Sequence, residues 1–330
     1  MQRRAPRIRR VAVAAAWRAR SLAYLDLARD HRASVLLLGS ARSGTTWLGE
    51  VIDRNHDHRV IFEPLRPAAV PAVRAFADGQ YLRPDDVDPV FLDPMTRILT
   101  GRLRSPWADH LNHVVLARRR LVKEIRANLL VPWLVRRFPG VPVVLLVRHP
   151  LAVAQSRRRL GWPDHLGSVL AQEPLAADHL GPHQEWLAGL TDPFARTVAQ
   201  WCVETLVPLR MTAPGDICLV TYEQLVGDPR AQAERVLAHL GQQPDVALDA
   251  ALDKPSRLAR ADSAVRTGAD RASGWLAQVD AGDRAAAAEV LAAFGLDAVY
   301  RVDEPHPDAE ALADLHATPY PIPAPRAARP

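Results

Sequence analysis

The chemistry in this sequence is concentrated in one short loop. Gly39-Ser40-Ala41-Arg42-Ser43-Gly44-Thr45-Thr46 follows the apolar run Val35–Leu38 and leads into a helical stretch, Thr45–Arg54, whose Trp47, Leu48, Val51 and Ile52 share one face. A strand, a loop of small residues and a helix N-terminus set free backbone N–H groups and a positive dipole end where a phosphate or sulfate can bind. The Gly-x4-Gly spacing is that of a nucleotide phosphate loop. The lysine of such loops is replaced by Thr45, however, and the positive charge sits at Arg42 inside the loop. A second cation ends another apolar run: Val143–Val147 closes in Arg148-His149-Pro150, where a Mg²⁺-dependent nucleotide enzyme would carry an aspartate. Arginine there offers a two-pronged contact to a second phosphate. Two anion sites and no magnesium site point to a nucleotide phosphorylated at two places and to transfer of a group that needs no metal.

Holding these groups in place takes a sheet. Val35–Leu38, Val60–Phe62, Val143–Val147 and Ile217–Val220 are too short for helices and too uniformly apolar for half-exposed strands, so they read as buried parallel strands. Arg120–Ile125 adds a fifth. Helical patterns over Leu129–Phe138, Leu151–Arg159, Phe194–Met211 and Pro229–Leu240 alternate with them, which predicts a three-layer α/β fold around a central parallel sheet. Residues 65–118 are irregular and rich in Pro and Asp, the pattern of an inserted cap that touches substrate. Residues 304–330 contain seven prolines and read as an extended tail. The expected organisation is a basic arm over 1–32, a catalytic domain over 33–303 and the tail.

With 330 residues, 48% of them hydrophobic and 24% charged, the chain is long and apolar enough for a large core. Its net charge of +5 is local: residues 1–20 hold seven arginines and no acid, and without them the balance is −2. Nucleic acid is therefore not expected as a partner. The arm reads as a solvated segment with at most weak contact to anionic lipid. No window is apolar for long enough to span a membrane and no signal peptide is evident, so a bacterial cytoplasmic location is expected. Cys202 and Cys218 lie in apolar stretches and read as buried thiols. His56, His58, His110 and His113 lack a third ligand set and are expected to face solvent. Among Trp107, Trp162, Trp186 and Trp201, at least half are expected in the core and the rest along an acceptor cleft.

The loop Ser40–Glu50 resembles the 5′-phosphosulfate loop of the sulfotransferases that use 3′-phosphoadenosine 5′-phosphosulfate (PAPS), in particular the branch of the Golgi carbohydrate 6-O-sulfotransferases. Val147–Arg157 is similar to the 3′-phosphate motif of that family, with Ser156 eight residues after Arg148. Phe62-Glu63-Pro64-Leu65 resembles an element after the second strand of the carbohydrate branch, and Tyr222-Glu223-Gln224-Leu225 one after a later strand in many members. The resemblance implies a P-loop NTPase-like fold, PAPS as donor and adenosine 3′,5′-bisphosphate (PAP) as product, without a metal. Ser40, Ala41, Arg42, Ser43, Gly44, Thr45, Thr46, Arg148 and Ser156 would bind the nucleotide. His149 stands where the family usually has aspartate, and the basic loop of cytosolic members is not reproduced around Trp275, which leaves Arg266 and Arg271 as weak candidates.

In-line sulfuryl transfer needs a base for the acceptor, positive charge on the sulfonate and positive charge on the departing phosphate. Arg42 and the loop amides answer the last need. Lys123 stands where cytosolic members have the lysine of Lys-Thr-His. Ile125, at the place of their histidine, cannot accept a proton. Glu63, just past the second strand and so at the carboxyl edge of the sheet, is the expected general base. Glu124 alternates with Lys123 and is expected to face away. The acceptor is expected to be a hydroxyl or amine of a carbohydrate, glycolipid or small metabolite. A P-loop small-molecule kinase and a non-catalytic PAP- or PAPS-binding protein are the alternatives. The first would need the missing lysine and metal aspartate, and the second would not need Glu63 or Lys123.

Overall fold

The computed structural model describes residues 24–181, 183–259 and 270–318. The strands, in chain order, are β1 (Leu25–Asp26), β2 (Ser34–Leu38), β3 (His58–Phe62), β4 (Leu116–Ala117), β5 (Arg119–Glu124), β6 (Val143–Val147) and β7 (Cys218–Thr221). Five of them form one sheet in the order β3-β5-β2-β6-β7, with every neighbouring pair parallel. Strands that are apolar on both faces must be covered twice. Along β6, Val143, Leu145 and Val147 enter one core while Val144 and Leu146 enter the other, and β2 divides Leu36 and Leu38 from Leu37 in the same way. Burying each such side chain contributes about 1.5–3 kcal/mol, which is why the alternation fixes three layers.

The helices that cover the sheet are α1 (Thr45–Ile52), α2 (Pro89–Leu99), α3 (Val131–Arg137), α4 (Pro150–Arg159), α5 (Pro193–Met211), α6 (Tyr222–Gly227), α7 (Pro229–His239), α8 (Ala281–Ala293) and α9 (Ala309–Ala317). Trp47, Leu48, Val51 and Ile52 of α1 share the smaller core with Val236 and Leu237 of α7. The long α5 runs through the larger core, where α8 and α9 pack against it. Among the described residues no helix is long and apolar enough to cross a membrane. The strands also agree at their C-terminal ends: Lys123 stands opposite both Leu37 of β2 and Phe62 of β3, and Leu37 opposite Val144 of β6. The turns that follow these strands are thereby gathered along one edge, where α/β sheets bind ligands.

Two expected boundaries move. The expected extended tail contains a helix, α9, capped by the Asp308 carboxylate and burying Leu312, Leu315 and His316. The stretch between Pro307 and Pro319 has no proline, and its leucines three apart give the helix a face for the core. The expected arm ends earlier than residue 32, because Tyr24 and Asp26 are buried. Arg59 and Arg120 are fully buried in β3 and β5, and Asp26 meets Arg120 Nη1 at 2.6 Å and Arg59 Nη1 at 3.5 Å. Ser34 Oγ and the Asp109 carboxylate complete the set, accepting from Arg120 Nε at 2.8 Å and Arg59 Nη2 at 3.0 Å. The seven arginines of the arm lie outside the described residues. Segment 65–118 contributes Tyr81, Leu82, Met95 and Ile98 to the larger core, so its irregular sequence is still anchored.

Removing Asp26 would leave two buried guanidinium groups short of a counter-charge, a loss that costs about 3–5 kcal/mol. Urea denaturation of Asp26→Ala should show a drop in stability of that size. A loss below about 1 kcal/mol would mean that the remaining carbonyl and Asp109 contacts suffice, at odds with the usual cost of breaking a buried pair.

Candidate active site

Beyond β2 the chain turns tightly against its neighbours. A Cβ at Gly39 would stand 2.3 Å from the Leu146 carbonyl oxygen, so only glycine lets the loop leave the sheet there. Gly44 has φ +96°, and a Cβ on it would stand 2.7 Å from the Tyr222 ring. Arg42 adopts φ +79°, a left-handed conformation uncommon outside glycine and often found at functional sites. Its Nε donates to Ser156 Oγ on α4 at 3.0 Å. Arg148 Nη1 donates to the Arg42 carbonyl at 3.1 Å, and Nη2 to the Arg271 carbonyl at 3.2 Å. The Arg148 guanidinium lies 4.2 Å above the Tyr222 ring, and its Nε is buried with no hydrogen-bond partner.

These residues line one cleft of about 1300 Å³. Ala41, Arg42, Gly44, Thr45, Thr46, Arg148 and Ser156 face it, and Thr45 opens α1, whose first N–H groups have no partner within the helix. Ser40 and Ser43 do not line it with their side chains. Ser40 Oγ donates to Glu204 Oε2 at 2.8 Å, and Ser43 Oγ is buried without a partner, so these two offer backbone only. The cleft exceeds the ~300–1,000 Å³ of an ordinary small-molecule site, which leaves room for a nucleotide and a second molecule.

The Arg148 turn is built on buried support. His149 caps α4: its Nδ1 accepts from the Leu151 N–H at 3.3 Å while Nε2 meets the Arg301 carbonyl at 3.1 Å, the pattern of a neutral imidazole. The ring stacks on Trp275 at 4.3 Å, and burial lowers its pKa to about 3. Glu223 Oε1 accepts from the His149 N–H at 3.0 Å, and burial raises that carboxyl to about 6. The imidazole thus caps α4 without adding charge beside Arg148. Arg271 is at the cleft, as its Trp47 and Arg148 contacts require, while Arg266 lies outside the described residues.

The opposite wall carries the expected catalytic pair. Glu63 follows β3 with φ +43°, and its N–H donates to the Lys123 carbonyl at 2.7 Å. Lys123 Nζ donates to Glu63 Oε1 at 2.6 Å, and Arg126 Nη1 to Oε2 at 3.3 Å. Burial lowers the Lys123 pKa in spite of that pairing. Glu124 does not line the cleft and accepts from the N–H groups of Leu65, Ile125 and Arg126, yet it is not wholly turned away: its Oε1 lies 3.5 Å from Arg126 Nη1, the nitrogen that also serves Glu63. Arg126, anchored to Asp78 at 2.7 Å, has no expected role from sequence, although it stands three residues after Lys123.

Phe62, Trp107 and His110 form an aromatic wall beside this pair, with Trp107 Nε1 donating to the Glu63 carbonyl at 3.0 Å. Trp107 and Trp162 line the cleft, whereas Trp201 is buried and Trp186 packs on the core. The expectation of solvent-facing histidines fails at His58, which is buried between Asp53 at 3.3 Å and Asp57 at 2.7 Å. That ionic cluster sits at the start of β3, the end of the strand away from the cleft. His110 lines the cleft instead.

The nodulation protein NoeE of Sinorhizobium fredii (strain NBRC 101917 / NGR234) is 26% identical over 216 residues, 63% of this chain and 50% of that protein. The chain thus spans about half the length of this curated relative. Among solved structures, the sulfotransferase domain from the curacin biosynthetic pathway is similar, with 16% identity and a TM-score of 0.45 over 81% of this chain and 97% of that one. A sulfotransferase from Alicyclobacillus acidocaldarius matches at 17% identity with a TM-score of 0.38, over 87% and 99%. A sequence profile of the sulfotransferase family matches residues 34–245, from the first strand of the sheet through the loop, Glu63, Lys123, Arg148 and Tyr222, and the chain belongs to that family.

Proposed function

We propose that this sulfotransferase takes its sulfonate from PAPS and transfers it to a hydroxyl or amine of a carbohydrate, glycolipid or small metabolite. The observation that carries this reading is the junction of Arg42, Ser156 and Arg148, joined at 3.0 and 3.1 Å beside the N-terminus of α1. Two arginines and a helix N-terminus at one sheet edge fit a nucleotide with two separate phosphate groups better than a triphosphate chain with its metal. The unpartnered Arg148 Nε fits a ligand held close to the loop. Likeness of the loop and of Glu63-Pro64-Leu65 to the carbohydrate branch supports a sugar acceptor.

The donor supplies a sulfonate bound through oxygen to a phosphate, and transfer forms an acceptor O–S or N–S bond as that bridging S–O bond breaks, leaving PAP. Glu63 takes the proton of the acceptor, with Lys123 and Arg126 fixing the orientation of its carboxylate. Lys123 brings a compact buried charge to the sulfonate side, and Arg42 with the N–H groups of Thr45 and Thr46 balances the charge that collects on the departing phosphate. A kinase reading has less support, because Thr45 occupies the lysine position and β6 ends in Arg148. A purely binding role does not explain why a buried Lys123–Glu63 pair lines the cleft.

PAP should raise the melting temperature of the wild-type protein. Arg42→Ala and Arg148→Ala should each weaken PAP binding about 10- to 100-fold, the cost of a charge-assisted contact, with Ser156→Ala milder. Equal stabilisation of wild type and both arginine variants, all folded, would remove the proposed nucleotide site. Glu63→Gln keeps the shape of the side chain without its basicity. By calorimetry its PAP affinity should stay within a few fold, while transfer of radiolabelled sulfate falls about 10²- to 10⁴-fold. Turnover near the wild-type rate would make Glu63 structural and move the base to another cleft residue such as His110.

A further inference from the structure

Arg66 stands three residues after Glu63 at the mouth of the same cleft. From sequence it is an obvious partner for Glu63, but Lys123 and Arg126 occupy both oxygens of that carboxylate. The Arg66 guanidinium lies instead 4.3 Å over the ring of Trp107, the residue whose Nε1 holds the Glu63 carbonyl. Among the described residues no carboxylate lies within ion-pairing distance of Arg66. The other charges on this wall pair among themselves, Glu63 with Lys123 and Arg126, and Asp78 and Glu124 with Arg126.

A guanidinium laid on an indole is fixed in plane while its N–H donors point outward, an arrangement suited to a two-pronged hydrogen bond with an oxyanion. The Arg42–Arg148 junction already provides the cations that two nucleotide phosphates need. Arg66 stands on the Glu63 side of the cleft, against the aromatic wall of Phe62, Trp107 and His110. We infer that the acceptor of this enzyme carries an anionic group, a carboxylate on a sugar ring in the first instance, and that Arg66 recognises it next to the hydroxyl presented to Glu63. The inference rests on the sulfotransferase reading above and narrows its acceptor class from sugars in general to acidic sugars.

The test compares two probes that differ in one group, p-nitrophenyl β-glucuronide and p-nitrophenyl β-glucoside, titrated by calorimetry into the full chain with and without saturating PAP. PAP affinity is measured first, and its absence would sink the donor assignment while the comparison of the two glycosides is still read on its own. Wild type should bind the glucuronide at least about tenfold tighter, the size of one charge-assisted contact. Arg66→Gln should abolish the difference with PAP affinity unchanged, and Arg66→Lys should keep part of it, because charge remains while the planar fork is lost. Equal binding of the two probes by wild type, including no binding of either, overturns the inference. So does a preference that survives Arg66→Gln. A fall in PAP affinity in that variant would assign Arg66 to the donor instead.

Discussion

Much of this site depends on holding one guanidinium still at the end of a buried strand. Arg148 lies on the Tyr222 ring and is fastened at its edge by the carbonyls of Arg42 and Arg271. Each of those contacts constrains a different segment. Tyr222 leaves no room for a side chain at residue 44, so the loop must carry glycine there, and the loop in turn must bend through a left-handed Arg42 to offer its carbonyl. His149 must remain neutral, because a second cation beside Arg148 would repel it, and burial against Trp275 secures that. The Gly39–Thr46 loop and the β6 turn are thus one unit, and α4 joins it through Ser156.

Charge compensation organises the rest of the sheet. β3 and β5 carry Arg59, Arg120 and Lys123 inside the fold, a costly arrangement unless each finds an acid. Near the strand beginnings the acids come from segments outside the sheet, Asp26 from the N-terminal side and Asp109 from the cap. At the strand ends the acid is Glu63, which pairs with Lys123. The same device therefore ties the cap and the start of the chain to the domain at one edge and presents a lysine–glutamate pair to the cleft at the other.

Four of the five strands were legible as short apolar runs and β5 by its alternation of apolar and polar residues, and the loop because its small residues stand between an apolar run and an amphipathic helix. Glu63 and Lys123 could be placed at the correct edge for the same reason, since both lie at strand ends. Their mutual pairing was not legible: they are 60 residues apart, and only the register that sets Phe62 opposite Lys123 brings them together. Arg126 joins Glu63 by the turn after β5, for which no periodicity speaks. The helix at Ala309–Ala317 was hidden by the prolines on either side, whose composition outweighed a capping Asp308 and two leucines. Burial of His58 depended on Asp53 at the end of α1, a contact formed by the turn between helix and strand.

The central claim is that the loop and the β6 turn bind two phosphates at separate places on one nucleotide. Calorimetric titration with PAP and with adenosine 5′-monophosphate, which lacks the 3′-phosphate, tests it most directly. Wild type should bind PAP at least about tenfold tighter than the monophosphate, and Arg148→Ala should bring the two affinities together by weakening PAP alone. Equal affinities in the wild type, or a PAP advantage undiminished by loss of Arg148, would contradict a second phosphate site at the end of β6.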